Sequence, residues 1–252
     1  MAHSPAHHIS IALVPALLLL ILITQLMFVL WPGIDLWISS LFYRSDTGFW
    51  LSHLAALEHI RNGIKVLIGL GFVWGLGGLL AMALQADARS TPLGRAYEVV
   101  VIAYILGPGL VVNTLLKTHW GRARPEDIKF FGGEKTFSLP FEISDQCTTN
   151  CSFVSGEGAG ITAMFFSAAL IFWVRARAKL GLRGWLILAP LGVICLLGLG
   201  LRLAKGRHFF SDSLFAVLLV ALIFAVLLSL PRYRDLVATA PGVSFRFGRE
   251  RV

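Results

Sequence analysis

Six apolar runs, each long enough to cross a bilayer, constrain this chain more than anything else in it. A spanning helix needs roughly 20 predominantly apolar residues, and the stretches 9–31, 63–84, 97–116, 156–174, 185–203 and 213–230 meet that need. With 56% hydrophobic and 14% charged residues, the chain departs from the roughly half and quarter of soluble domains. A soluble enzyme, a disordered chain and a disulfide-dense secreted mini-protein are thereby excluded. The expected fold is all-α, a polytopic membrane protein of six transmembrane helices, as a single domain over residues 1–252 whose helical-bundle core carries its site at one membrane face. No basic segment precedes the first run and no small-residue cleavage site follows it, so it reads as a retained span rather than a signal peptide.

Between the runs the composition changes in instructive ways. The mixed stretch 32–62 interleaves Trp37, Phe42, Tyr43, Phe49 and Trp50 with polar residues, which suits a segment lying in the membrane interface. Thr91-Pro92-Leu93-Gly94 has turn chemistry and closes the loop between the second and third runs. Residues 117–155 form the longest polar stretch, and loops of that length usually carry function. A basic loop at 175–183, a tight polar link at 205–211 and an arginine-bearing tail complete the chain.

The net charge of +8 comes from Lys and Arg dispersed among apolar spans, not gathered into the basic stripe that nucleic acid requires. Anionic lipid or phosphate is the expected partner, with the bilayer itself, and no nucleic acid. Of the three cysteines, Cys195 lies in an apolar run and reads as a small buried hydrophobe. Cys147 and Cys151 lie in a polar segment and are close enough for a disulfide if that segment faces an oxidising compartment. Lys and Arg counts on the two sides of the membrane tie. Setting aside Lys117, Arg124 and Arg202 as cations needed for chemistry leaves the excess beside the termini, which places both termini in the cytoplasm and the paired cysteines in the periplasm.

That topology gathers three clusters on one membrane face. Lys117 and Arg124-Pro125 follow the third span, Ser155-Gly156-Glu157 opens the fourth, and Arg202, His208 and Asp212 lie between the fifth and sixth. Arg offers a planar fork for phosphate oxygens and Lys a compact charge, so Lys117, Arg124 and Arg202 can together offset a phosphate dianion. At Ser155 and Gly156 a helix start supplies unpaired amides and the positive end of a dipole. His208 and Asp212, four apart, are expected to share one helix face, the carboxylate accepting one ring N–H and leaving the other nitrogen as a nucleophile. Singly, each feature has a plainer account: span-end cations commonly snorkel to the interface, and a Ser-Gly pair commonly caps a helix. Their convergence on one side favours a phosphate site.

Those residues resemble the type 2 phosphatidic acid phosphatase superfamily, whose signature runs Lys-x6-Arg-Pro, Pro-Ser-Gly-His and Ser-Arg-x5-His-x3-Asp. Lys117-x6-Arg124-Pro125 matches in full, and Arg202-x5-His208-x3-Asp212 matches except that Leu201 replaces the leading Ser. The resemblance covers residues 113–213. It implies a membrane phosphatase in which His208 attacks phosphorus and forms a phosphohistidine, Asp212 orients it, and Lys117, Arg124, Ser155 and Arg202 hold the phosphate oxygens, with no metal and no cofactor.

The middle motif departs from the pattern, reading Val154-Ser155-Gly156-Glu157 where the family has Pro-Ser-Gly-His. The missing histidine protonates the leaving alkoxide. Glu157 is the expected replacement acid, with His119 in reserve. The phrase ending Asn-Cys-Ser-Phe-Val-Ser-Gly-Glu is similar to that of bacterial lipid phosphatases, some acting on lipid A. The resemblance therefore implies a lipid phosphatase of the bacterial inner membrane with its site facing the periplasm. Lipid A ranks before undecaprenyl diphosphate and phosphatidylglycerol phosphate as substrate. Transfer of the phosphoryl group to another lipid and phosphate-lipid binding without turnover are the alternatives, and oligomeric state is not legible.

Overall fold

The computed structural model describes residues 5–85, 87–180 and 185–238. The tail beyond residue 238 and the 181–184 part of the basic loop lie outside the described residues. The membrane helices are α1 (Pro5–Leu30), α3 (Ala55–Ala83), α4 (Pro92–Tyr104, running on through Ile105–Leu116 and Lys117–His119), α5 (Gly156–Leu180), α6 (Trp185–Ala204) and α7 (Phe210–Ser229). Two short helices, α2 (Gly33–Ser40) and α8 (Asp235–Ala238), follow α1 and α7. All six expected spans are present among the described residues. The chain is a helical membrane protein.

Helices α4, α5 and α7 form the inner layer. Ala96, Val99, Val100 and Ala103 of α4 meet Ala159, Ile161 and Ala163 of α5 and Phe215, Ala216 and Val220 of α7, all buried in one cluster. Small residues alternating with Val and Phe let these helices interdigitate closely. Helices α1, α3 and α6 surround them, and their outer faces, including Leu22, Val66, Val73 and Leu196, are exposed to the surrounding lipid. Cys195 is buried, as its apolar run suggested.

Helix α4 starts with Thr91 as N-cap, its Oγ1 accepting the Gly94 N–H at 3.2 Å, and Pro92 in the first turn. Past Tyr104 it widens into a π-helix over Ile105–Leu116, which contains Pro108. A proline inside a helix removes one N–H donor and crowds the preceding turn, and a π-register accommodates that misfit. The Pro108 carbonyl accepts from Asn113 Nδ2 at 2.6 Å. The widened segment delivers Lys117 to the polar end of the bundle.

The stretch 32–62 differs from a simple interfacial segment. It holds α2, a two-residue antiparallel hairpin (β1, Tyr43–Arg44; β2, Gly48–Phe49), a short 3-10 turn at Trp50–His53, and then the start of α3 at Ala55. The second span thus begins eight residues before the apolar run does. Glu58 and Arg61 hide that first part of the helix from hydropathy. Both are paired inside the protein, Glu58 with Arg61 and Lys205, and Arg61 with Glu157.

Candidate active site

At the end of the bundle where α4 stops and α5 begins, five of the expected residues line one polar cavity of about 240 Å³: Lys117, Arg124, Glu157, Arg202 and His208. Arg61, Asn150 and Arg207 complete its wall. Lys117 reaches it because Gly156 has no side chain, since a Cβ there would stand 2.5 Å from Asn113 Oδ1 and 3.2 Å from Lys117 Cε. Asn150 bridges the first-motif cations, its Oδ1 accepting from Lys117 Nζ at 2.9 Å and its carbonyl from Arg124 Nη2 at 2.8 Å. It sits in the small loop closed by the Cys147–Cys151 disulfide. Arg202, only 5% exposed, leaves its buried Nε without a hydrogen-bond partner, 3.6 Å from Glu157 Oε2. A buried guanidinium with an unused donor facing a cavity is set up for an anion.

His208 lies in the link between α6 and α7, not on the helix as its spacing from Asp212 suggested. Gly206, at φ +64°, turns the chain there, and the Arg202 carbonyl accepts from the His208 N–H at 3.3 Å. Helix α7 begins at Phe210, so Asp212 stands in its first turn and its Oδ2 accepts from the Phe209 N–H at 2.8 Å. The nearest acceptor for His208 Nδ1 is the Ser152 carbonyl at 2.8 Å, while Asp212 Oδ2 is 3.7 Å away. Ser152 also donates its hydroxyl to Asp212 Oδ2 at 2.5 Å. Nδ1 therefore carries the proton, and Nε2 is the ring nitrogen left with its lone pair. Burial pushes the His208 imidazole down from 6.5 to about 4 against the pull of Asp212, with Arg202 and Lys117 adding to the depression. Near neutral pH the ring is uncharged, with a lone pair at Nε2.

Beneath the cavity, Arg122 is fully buried and joins Asp212 to Asp35 of α2. Glu157 is engaged differently. Both of its oxygens accept from Arg61, at 3.0 and 3.1 Å from Nε and 2.5 Å from Nη2. Ser155 is buried and caps α5, its Oγ accepting the Gly158 N–H at 3.1 Å, and neither it nor Gly156 lines the cavity. His119 is exposed with Nδ1 2.8 Å from the Leu115 carbonyl, outside the cavity wall. The structure thus does not bring the reserve acid to the site. Among the described residues no group of three or more His, Cys, Asp and Glu is arranged to hold a metal ion.

Residues 98–236 match the PAP2 superfamily. The chain belongs to that superfamily. It is 32% identical to the lipid A 4'-phosphatase of Rhizobium leguminosarum, over 79% of this chain and 88% of the relative. It is also 32% identical to the lipid A 4'-phosphatase of Francisella tularensis subsp. novicida, over 77% and 84% of the two chains. A third lipid A 4'-phosphatase, from Rhizobium etli, is 29% identical over 79% of each. No solved structure matches the chain.

The superfamily match begins inside α4, so α1 to α3 lie before it. Two of the residues that sequence reasoning passed over come from that earlier part: Asp35 and Arg61. Asp35 is the only acid in Gly33–Ser40, and an acid placed in an otherwise apolar short helix is a signal of a buried partner. Glu58 and Arg61 stand three apart, the spacing of a helical ion pair. Arg122 lies within the first motif between its two cations, Lys117 and Arg124, while Asn150 and Arg207 carry no such signal.

Proposed function

We propose that this superfamily member, a membrane phosphatase, hydrolyses a phosphate monoester on a lipid A-type glycolipid at the periplasmic face of the inner membrane through a phosphohistidine on His208. The observation that carries this reading is His208, its Nδ1 tied to a carbonyl, in one wall of a cavity whose other walls include Lys117, Arg124 and Arg202, whose Nε makes no hydrogen bond. The names of the relatives supply the lipid A 4'-phosphate as first choice of substrate. The Cys147–Cys151 disulfide supports the periplasmic face, because such bonds persist in oxidising compartments.

In this mechanism the three cations take the non-bridging phosphate oxygens and His208 Nε2 attacks phosphorus, forming a P–N bond as the P–O bond to the sugar breaks. The departing alkoxide takes a proton from Glu157. An incoming phosphate competes for Arg61 and Arg202, which frees a Glu157 oxygen to carry that proton. Water, giving a proton to the Glu157 carboxylate, then attacks phosphorus and cleaves the P–N bond, releasing inorganic phosphate and restoring both His208 and the acid. Asp212 and Ser152 hold the ring throughout.

The test is phosphate release by the purified protein in detergent and chelator from lipid A, phosphatidic acid, phosphatidylglycerol phosphate and undecaprenyl diphosphate, with His208→Ala alongside. Turnover of lipid A that His208→Ala abolishes is the expected result. Release that survives in His208→Ala, or that chelator stops, overturns the mechanism. Release from another lipid alone overturns the substrate.

A further inference from the structure

Asp35 lies in α2, well before the superfamily match begins at residue 98, yet it is fully buried beside the residues that hold His208. Its Oδ1 accepts from the Ser211 N–H at 2.9 Å, and its Oδ2 from Ser211 Oγ at 2.5 Å and Arg122 Nη2 at 2.9 Å. Only donors surround it, the pattern of a carboxylate. Arg122 turns its other fork to Asp212 Oδ1 at 2.6 Å and its Nε to the Ser138 carbonyl at 2.9 Å, and its guanidinium lies 4.4 Å from the Phe209 ring centre. One fixed cation therefore stands between two buried carboxylates.

The charge balance of this group bears on the reaction. When His208 Nε2 attacks phosphorus, the ring gains positive charge, and a net anion at Asp212, 3.7 Å from Nδ1, stabilises it. Arg122 alone would cancel that anion. With Asp35 on the far side of the guanidinium, the three groups sum to one negative charge. We propose that Asp35 is a positioning residue for the phosphohistidine step, offsetting the charge of Arg122 so that Asp212 acts on His208 as an uncompensated carboxylate. The proposal rests on the reading of His208 as nucleophile.

Asp35→Asn keeps the shape and removes the charge. On lipid A, its kcat should fall about 10- to 100-fold, less than the roughly 10²–10³ of a group that touches the reacting atoms because Asp35 acts through Arg122 and Asp212, with KM nearly unchanged because Asp35 does not line the cavity. The acid limb of kcat/KM should move to lower pH, since one negative charge fewer favours the imidazolium less. The other charged groups around His208, namely Asp212 of α7, Arg202 of α6, Lys117 of α4, Glu157 of α5, and Arg61, Arg124 and Arg207 of the same cavity wall, are the same in both proteins. The double variant Asp35→Asn/Arg122→Gln restores a single negative charge and should recover part of the lost kcat relative to Asp35→Asn.

A network that merely holds α2 in place predicts the reverse, a double variant no better than either single one. That result, or wild-type kcat in folded Asp35→Asn, overturns the proposal. If Asp35→Asn does not fold, Arg122→Gln reads the same balance from the other side, and its acid limb should move to higher pH; an unmoved limb overturns the proposal. His208→Ala separates the two levels. Activity in His208→Ala removes the nucleophile reading, whereas a dead His208→Ala beside an unaffected Asp35→Asn removes only this inference.

Discussion

The two ends of α4 carry two clusters of arginine around a glutamate, and they are built for different ends. Near the start of the helix, Glu98 is buried and accepts from Arg89 Nε, from Arg232 Nε and Nη2, all at 2.8 Å, and from the Tyr233 hydroxyl at 3.3 Å. Both arginines there are more than half exposed. The carboxylate is saturated and the cations can turn to water. At the other end, Arg202 is almost wholly buried with an Nε that makes no hydrogen bond and only a 3.6 Å ion pair to Glu157, and Lys117 and Arg124 are bridged by Asn150, with Glu126 no nearer to Arg124 than 3.8 Å. Counting arginines does not separate a clasp from a ligand site. The separation lies in whether the cations are exposed around a saturated carboxylate or buried and short of close partners.

The sharpest way to break this contrast is to remove chemistry from one end and none from the other. His208→Ala should lower phosphate release by on the order of 10⁴-fold or more, because no other group in the cavity can take the role of nucleophile proposed for it. Arg202→Lys comes next. It keeps the charge but loses the fork, and a loss of about 100-fold in kcat/KM is expected where planar recognition of phosphate is used. Both are read by steady-state phosphate release, and near-wild-type rates in either would dissolve the distinction between the two clusters.

Glu157 sharpens the comparison, since it is the glutamate of the active end and is bound by Arg61 much as Glu98 is by Arg232. If Glu157 protonates the leaving group, Glu157→Gln should slow hydrolysis of a sugar phosphate about 100-fold while barely slowing an aryl phosphate whose leaving group needs no proton. Equal losses on both substrates would make Glu157 another clasp. The pH dependence gives a smaller but independent reading. His208 titrates at about 4 in the folded protein against an ordinary 6.5, so kcat/KM should hold down to about pH 5 and fall as pH drops through about 4. The same depression means that the unfolded chain takes up this proton first. Its contribution to stability is therefore lost as pH falls from about 6.5 toward 4, checked by denaturant midpoints across that range.

Much of this architecture was written in hydropathy, because the lipid-facing sides of helices such as α1 and α6 must be apolar. The end of α3 that bears Glu58 and Arg61 was not, because charge compensation inside a fold is invisible to a sum over residues. The signature spacing marked Lys117, Arg124, Arg202 and His208, all of which meet at one cavity. It misjudged the local geometry of His208, since four residues span one helix turn only if the helix has already begun, and Gly206 delays it. Asp35, Arg61 and Arg122 were missed for a shared reason. Their roles depend on partners far away in the chain, and spacing reports only near neighbours.

The smallest expected effect is at the far end of α4, where Glu98→Gln keeps the shape and one acceptor but surrenders the charge that gathers Arg89, Arg232 and Tyr233. Activity on lipid A should stay within about twofold of wild type, because nothing in this cluster reaches the cavity where His208 lies. Stability should fall by about 1–3 kcal/mol, the usual cost of weakening the partners of a buried polar group, with exposure of the two arginines keeping it toward the lower figure. Thermal unfolding in detergent reads that loss, and raising the salt should shrink it by screening the exposed arginines. A Glu98→Gln protein that unfolds normally but loses turnover would couple the two ends of α4 through its π-helical segment and end the claim that they act separately.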